Sequence, residues 1–494
     1  MQMSVDKDMS DDMKDLISKV QSWEKNMSAI FTDVETNVNH AEKKLGDLEQ
    51  LVQEYGKKIK KAKSSRHQRQ PPDISEDSKE STCDSHLMKN LQLIYHNMIL
   101  LSIAIFPKDS IIKKRGLIYW WIGESLQVGE EVYEKLIKQG LIEPDDNNPS
   151  PLMSRCKIHR CTHHMLTCLA QEAGFFYFNS KDETSPEVLL KCPFSSSHLL
   201  LLDGANSPPG REAAEVEDRS TVFNVNKKIL NLPPQWLLKM KKLTVLQLGR
   251  WMHSPNHHIE VDDQRFLNDI GLHHRHLKFL SLRGISRITS LPDSIVQLVS
   301  LEILDLRACH NLEELPEKIA SLKNLMHLDV SECYLIERMP KETEKLNNPC
   351  KISDLGNLTK LRQLSIYIGR GAAITDIDFA SLKDVTSLCS LTISWGVTSS
   401  ALHKLKLIGM PEKRMPDLKN VKKLYIIGGK VASLDPLQRI DSVEILRLKH
   451  LKELRIGNTE EVLKKLPRLF YYESRNCANG NKLWYKGREI NKGL

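Results

Sequence analysis

The feature that most constrains how this chain folds is a short leucine pattern returning at a fixed interval. L-x-x-L-x-L begins at Leu243 (LTVLQL), Leu277 (LKFLSL), Leu301 (LEILDL), Leu325 (LMHLDV) and Leu361 (LRQLSI), and the starts at 277, 301 and 325 lie 24 residues apart. Each of those three copies carries Leu-Pro or Met-Pro on its returning half, at 291, 315 and 339. A coil this short cannot bury its own apolar edge. It becomes stable only against copies of itself, which gives a curved solenoid with a parallel sheet along its inner side.

The copies are leucine-rich repeats, and residues 181–494 read as the repeat domain. Weaker copies, LCSLTI from Leu388, VKKLYI from Val421 and LKELRI from Leu451, extend the array, and LLLLDG at 199 and TVFNVN at 221 stand at its start. Cys309 and Cys333 occupy the ninth position of their repeats, where a buried thiol bonds the backbone of the neighbouring coil rather than reacting. Side chains between the strand leucines are expected to point to solvent on the inner face. Gln247, Arg283, Asp305 and Arg307 begin that row, and His327, Asp329 and Tyr367 continue it. Charged and aromatic variety on a rigid sheet reads as a surface for binding another protein.

Toward the N-terminus the period changes. From Met13 to Ile59 apolar residues step by three and four, with a seam that includes Val20, Met27, Val34, Leu45, Leu48 and Val52. This heptad spacing predicts a long amphipathic helix or coiled coil over residues 1–63, packed on its own chain or self-associating with another copy. Between Val34 and Val38 the phase jumps by four residues, the stutter that locally unwinds a supercoil. Residues 64–85, basic, then Pro71 and Pro72, then acidic and serine-rich, read as a disordered linker. Residues 86–180 read as a compact helical unit with helices over 87–106, 110–122, 129–142 and 158–174, and Pro107 and Pro144 at the breaks. The fold class is therefore α plus an α/β solenoid.

A hydrophobic fraction of 40% with 27% charged residues is that of a globular protein, and a formal net charge of +8 over 494 residues is too mild to mark nucleic-acid binding. Lys113, Lys114 and Arg115 open one helix but lack base-reading neighbours, and Trp120 and Trp121 beside them read as core, so no nucleic-acid partner is expected. The most apolar run, at 91–106, is shorter than a membrane span and carries Gln92, His96 and Asn97. The charged start MQMSVDKDMSDDMKD and scattered cysteines place the chain in the reducing cytoplasm, with peripheral attachment at the plasma membrane left open. CKIHRCTHHMLTC gathers Cys156, His159, Cys161, His163, His164 and Cys168, but these point around several helical faces without a C-x-x-C pair, so no metal is expected. No nucleophile or acid–base pair stands at a recognisable spacing, so neither catalysis nor a cofactor is expected.

AIFPKDSIIKKRGLIYWWIGE, EEVYEKLIKQGLIE, KIHRCTHHMLTCLA, NLPPQWLLKMKKLTVLQLGRW and the Leu-Pro-punctuated array together resemble plant intracellular immune receptors of the coiled-coil, nucleotide-binding, leucine-rich-repeat class. The resemblance implies that Ile103 to Glu124 belong to a winged-helix subdomain and that Lys157 to Leu169 carry the family's Met-His-Asp motif. Ile158, His159 and Arg160 stand at that motif, so the histidine that faces nucleotide in the family is kept and the aspartate has become a cation. A phosphate-binding loop requires G-x-x-x-x-G-K and then Ser or Thr, and no stretch fits, GANSPPGRE at 204–212 included. The implied function is defence-related protein recognition without an ATP switch of the chain's own. Its partners would be an immune receptor, a guarded host protein or a pathogen effector. Two alternatives stay open: an ADP/ATP-binding switch whose nucleotide domain is supplied in trans, and a general leucine-rich scaffold.

Overall fold

The chain divides into two compact units, Met1–Ser85 and His86–Leu494. The computed structural model describes residues 99, 101–126, 130–138, 140–145, 151–158, 162, 163, 166, 167, 170, 176–178, 198–201, 219–230, 232, 237–252, 259–336, 355–368, 381–395, 418–429, 433–435, 440–455, 459–478 and 480–490. The heptad seam of Val20, Met27, Val34, Leu45, Leu48 and Val52, the linker at 64–85, and His159 lie outside the described residues.

The second unit opens with strand β1 (Ile112–Lys113), helix α1 (Lys114–Gly123), helix α2 (Glu130–Lys138), and strands β2 (Ile142–Pro144) and β3 (Arg155–Ile158). β1, β3 and β2 form a three-stranded antiparallel sheet, in that order. This corrects the all-helical expectation for the region. The expected helix at 129–142 stops at Lys138 because Gly140, with φ of 69°, reverses the chain. Beyond it Ile142 pairs with Ile158. The helix expected from 158 begins later, because Cys156 and Ile158 are buried while Arg155 and Lys157 are half-exposed, a two-residue alternation that favours a strand. Residues 162, 163, 166, 167 and 170 are helical.

The repeat array follows as one sheet of 14 strands. Its parallel members are β4 (Phe176–Phe178), β5 (His198–Leu201), β6 (Thr221–Asn224), β8 (Val245–Gln247), β10 (Phe279–Ser281), β11 (Ile303–Asp305), β12 (His327–Asp329), β13 (Gln363–Ile368), β14 (Ser390–Trp395), β15 (Lys423–Ile427), β16 (Ile445–Lys449) and β17 (Tyr471–Arg475). β4 stands upstream of residue 181, so the sheet begins earlier than the repeat pattern does. A small parallel pair, β7 (Ile229–Leu230) and β9 (Glu260–Val261), lies outside the main sheet, and helix α3 (Arg265–His273) fills the returning half of one repeat. Helix α4 (Thr459–Lys465) does so near the C-terminus, where β18 (Lys482–Tyr485) and β19 (Arg488–Glu489) close the sheet as an antiparallel hairpin.

The leucines build the ladder that the spacing demands. Leu246, Leu280, Leu304, Leu328, Leu364, Leu391, Leu424 and Leu446 stand level in adjacent strands and are buried in one continuous core. Each such side chain contributes roughly 1.5–3 kcal/mol relative to exposure. The Cys309 thiol donates to the carbonyl of Leu282 and the Cys333 thiol to that of Leu306, both at 3.1 Å. Burial pushes the Cys309 thiol up to about 12 and Cys333 well above its ordinary value, so both are inert under neutral conditions.

Two register findings correct the sequence reading. LKELRI from Leu451 is not a strand start, because β16 lies in the preceding VEILRL from Val443, and Leu451 and Leu454 are buried on the turn behind it. The next strand, β17, places Tyr472 where a leucine was expected. Just beyond the strands the chain turns through the left-handed region at Gly284 (φ 74°), Ala308 (59°) and Glu332 (63°). These positions are one repeat apart, so the turn belongs to the repeat geometry, which only the first satisfies with the residue suited to it.

Candidate recognition face

The outward side chains of the inner sheet are those between the core leucines. In the N-terminal half they run from Val245 and Gln247 through Phe279, Ser281 and Arg283 to Ile303, Asp305, Arg307, His327 and Asp329. The expectation that this row faces open solvent does not hold. Gln247, Asp305 and Asp329 are only 5%, 8% and 6% exposed, and Arg283, Arg307, His327 and Tyr367 are half-buried. The cover is the chain's own helix-and-sheet unit.

α1 provides most of that cover because its buried face is aromatic: Leu117, Tyr119, Trp120 and Trp121 all point inward. Trp120 lies 4.8 Å from the ring of Phe223, and Phe106 meets Phe223 and Trp251 edge-on at 5.8 and 4.8 Å. These rings share a core with Val245, Phe279 and Ile303 from the outer side of β8, β10 and β11. At the helix end the chain approaches the sheet so closely that a Cβ on Gly123 would stand 2.7 Å from Phe279 Cβ and from Val245 Cγ2. Glycine at 123 is therefore a contact requirement.

Polar groups fix the register of α1 on the strands. The buried Glu124 carboxylate accepts from Trp120 Nε1 at 3.0 Å and from Thr221 Oγ1, and pairs with His198 Nε2 at 3.1 Å. Burial alone would raise the Glu124 carboxyl, but the His198 imidazole and the two further donors hold it below its ordinary value. One helical turn and more away, Tyr119 lies against the His327 ring at 4.7 Å, and Arg115 reaches Asp329 at 3.7 Å. With its amide turned to satisfy both neighbours, Gln363 accepts from Arg115 at 2.7 Å and donates to the Tyr119 hydroxyl at 2.8 Å. Burial, then Arg115 and Arg362, lowers the His327 imidazole to about 3, so it packs against Tyr119 uncharged. Lys114 turns away to Glu130 at 3.1 Å, and Glu130 also accepts from Lys423 on β15 at 2.7 Å. The cations that open α1 thus face the chain's own acids. Leu152, between β2 and β3, packs beside Ile445, Tyr471 and Leu483 at the far end of the sheet.

Two of the six metal candidates fall on separate contacts: Cys156 is buried in the core beneath α1, and His163 Nε2 meets the carbonyl of Phe106 at 2.8 Å. The structure also brings forward residues that the leucine spacing did not single out. At the edge of the inner sheet His310 stacks on Tyr334 at 4.9 Å and Tyr334 meets Tyr367 edge-on at 5.2 Å, with Tyr334 44% exposed. His310 and Tyr334 each directly follow a ninth-position cysteine, and that offset is the signal in the sequence that marks them. For Arg115, Tyr119 and Glu124 no comparable signal exists, because nothing in a helix names the sheet it will cover.

Comparison with known proteins bears on the array itself. A family described as a leucine-rich repeat region matches residues 219–474, more than half of the chain. The chain belongs to the leucine-rich repeat family. Among curated relatives it is 26% identical over 389 residues to disease resistance RPP13-like protein 4 of Arabidopsis thaliana, a match covering 69% of this chain and 43% of that protein. It is also 26% identical over 111 residues to disease resistance protein RPP8 of the same plant, covering 21% of this chain and 12% of that one. This leucine-rich repeat chain is thus related to plant disease-resistance proteins, and it spans less than half the length of either relative. Among solved structures, an internalin from Listeria monocytogenes aligns over 53% of this chain and 76% of its own at 20% identity, with a TM-score of 0.30. The leucine-rich ectodomain of the Arabidopsis thaliana receptor kinase GASSHO1/SCHENGEN3 aligns over 53% and 28% at 14% identity, with a TM-score of 0.35. Among the described residues no helix is long and apolar enough to cross a membrane.

Proposed function

We propose that this chain is a cytoplasmic plant defence protein that recognises another protein through its leucine-rich repeats and has no ATP switch of its own. The observation that carries the reading is the roofed inner sheet: Arg115 on Asp329, Tyr119 on His327 and Glu124 between His198 and Thr221. In this reading the helix-and-sheet unit at 86–180 is winged-helix-like and keeps the polar row at Asp305, Arg307 and Asp329 out of use. The partner, an immune receptor, a guarded host protein or an effector, first meets the edge at the exposed Tyr334 and its half-buried neighbours His310 and Tyr367. Large rigid aromatic side chains suit such a contact because they bring area at little cost in conformational freedom.

The test is capture from leaf extract by immobilised full chain. Tyr334→Ala combined with Tyr367→Ala is expected to reduce capture at least tenfold with the melting temperature unchanged. Arg115→Ala combined with Tyr119→Ala, which loosens the roof, is expected to raise it. Equal capture by all three proteins overturns the reading. Denatured pure protein is expected to release no stoichiometric ADP, and finding it would restore the nucleotide-switch alternative.

A further inference from the structure

The edge of the solenoid at which the strands begin is stacked as regularly as the sheet. The Met326 amide donates to the carbonyl of Glu302, Arg362 to Met326, Cys389 to Arg362 and Lys422 to Cys389, at 2.8–2.9 Å. Just ahead of this row, side chains make a second one. Asn324 Nδ2 donates to the Val299 carbonyl, Lys360 Nζ to Asn324 Oδ1 and Asn420 Nδ2 to the Thr386 carbonyl, each at 2.7 Å, and the Ser387 hydroxyl donates to the Thr359 carbonyl. The turns that lead into β11 through β15 are thereby held in one line.

That line carries charge of one sign. Arg275, Lys323, Lys360, Arg362 and Lys383 are exposed along it, and among the described residues all but Lys360 are without an ion pair or a side-chain hydrogen bond. On the turns 272–278, 296–302, 320–326, 356–362 and 383–389 the acids are Glu302, taken by Lys278 at 3.2 Å, and Asp384. Successive coils are roughly 4.8 Å apart, inside the ~8 Å over which physiological salt screens a charge, so the cations act as one field. Past Cys309, on the other side of the coil, the sign reverses: Glu313, Glu314 and Glu317 are exposed beside a single cation, Lys318. The mild net charge of the whole chain conceals this polarity. Two aliphatic side chains stand out among the cations. Val299, 54% exposed, lies in the row between Arg275 and Lys323, and its carbonyl is bonded to Asn324; Leu272, 42% exposed, ends α3 three residues before Arg275. The buried leucines and the asparagine bonds already hold the coils together, so packing requires neither the cations nor these two.

We propose that this edge of the repeats docks on an anionic phospholipid surface, with its row of cations on the headgroups and Leu272 and Val299 entering the interface. Long cationic side chains around exposed aliphatic ones are the combination that a charged bilayer surface rewards twice, by attraction and by burial. A nucleic acid fits less well. The turns that bear the cations carry no Phe, Tyr or Trp on which a base could stack, and a polyanion gains nothing from Val299. Because the strands are parallel, Tyr334 follows β12 at their other ends, so the recognition edge stays clear of the lipid.

The test is co-sedimentation of the full chain with vesicles of phosphatidylcholine, alone or with one-third phosphatidylserine, at ~0.15 M salt. Binding is expected only with phosphatidylserine. Each cation near such a surface strengthens binding roughly fivefold, so Arg275→Gln combined with Lys323→Gln is expected to weaken it at least tenfold with the melting temperature unchanged. Arg287→Gln combined with Lys452→Gln removes the same charge past the strands and is expected to leave binding as it was. Val299→Asn keeps the charge and is expected to weaken binding severalfold. The basic run at 57–69 is the same in every variant, so differences among them report the edge. No dependence on phosphatidylserine, or equal binding by both double variants, overturns the proposal. A short DNA duplex that binds as tightly as the vesicles and ignores Val299→Asn overturns it in favour of a polyanion.

Discussion

The two halves of the inner sheet meet the same problem, charged side chains on a surface that becomes buried, and solve it differently. At the C-terminal end β16 and β17, with Tyr425 of β15, neutralise their own charges: Arg447 lies over Tyr425 and Tyr471 at 5.1 and 5.2 Å, and Glu473 takes Arg447 at 2.9 Å, Arg475, and the Tyr471 hydroxyl at 2.8 Å. In the N-terminal half Asp329 and His327 reach across to Arg115 and Tyr119. A surface whose charges are neutralised by its own strands stays as it is when uncovered. A surface that borrows partners from a separate helix changes its electrostatic character whenever that helix leaves, so the N-terminal half is the one suited to being switched.

The sharpest break of this contrast is Glu473→Ala. The carboxylate is 4% exposed between two guanidinium groups, and removing one member of such a buried set costs about 3–5 kcal/mol. Urea unfolding is expected to show that loss while Trp120 fluorescence still reports a seated α1. Loss of both together would mean that the halves are not independent.

Gly123→Val attacks the other half. The added side chain collides with Phe279 and Val245, and overpacking of this kind typically costs about 1–3 kcal/mol. The roof is expected to lift before the repeats unfold, read as new protease cleavage around α1 with the repeat fragment intact.

Acid provides a gentler probe. The folded His327 imidazole titrates at about 3, below the ordinary 6.5, so the unfolded chain takes up its proton first as pH falls. The stability it carries is complete above about 6.5 and drains between 6.5 and 3, on the order of 2 kcal/mol by pH 5. His327→Gln is expected to flatten that part of a stability–pH curve, and an unchanged slope would assign the acid sensitivity to another group.

The smallest effect belongs to the Arg115 and Asp329 pair. With Arg115 35% exposed and the contact at 3.7 Å, a double-mutant cycle with alanine is expected to give a coupling of about 0.5–1 kcal/mol.

What the sequence made legible follows from range. The leucine ladder, the thiol bonds of Cys309 and Cys333, and the burial of Trp120 and Trp121 are local consequences of spacing, and the structure has them. The row from Gln247 to Asp329 was placed correctly on the outward side of the strands, yet read as open because its cover comes from more than a hundred residues upstream. β2 and β3 were hidden for the opposite reason. They are so short that the strong helical pattern of EEVYEKLIKQGLIE ran past Gly140, and RCKI offers only two alternations. Near the C-terminus VEILRL and LKELRI follow one another with the same apolar spacing and are equally buried, and only the strand pairing tells which one lies in the sheet.

The hairpin of β18 and β19 has a consequence for how such a molecule behaves in a crowded cell. A stack of parallel strands is a one-dimensional crystal whose last row is always ready to template another. Here the direction of the chain is reversed at that row, and the outermost strand is two residues long, an exposed arginine and an exposed glutamate. A foreign strand arriving at this end finds almost no backbone to copy and a pair of charges to desolvate. Growth of the stack by accretion is stopped at this end by two residues.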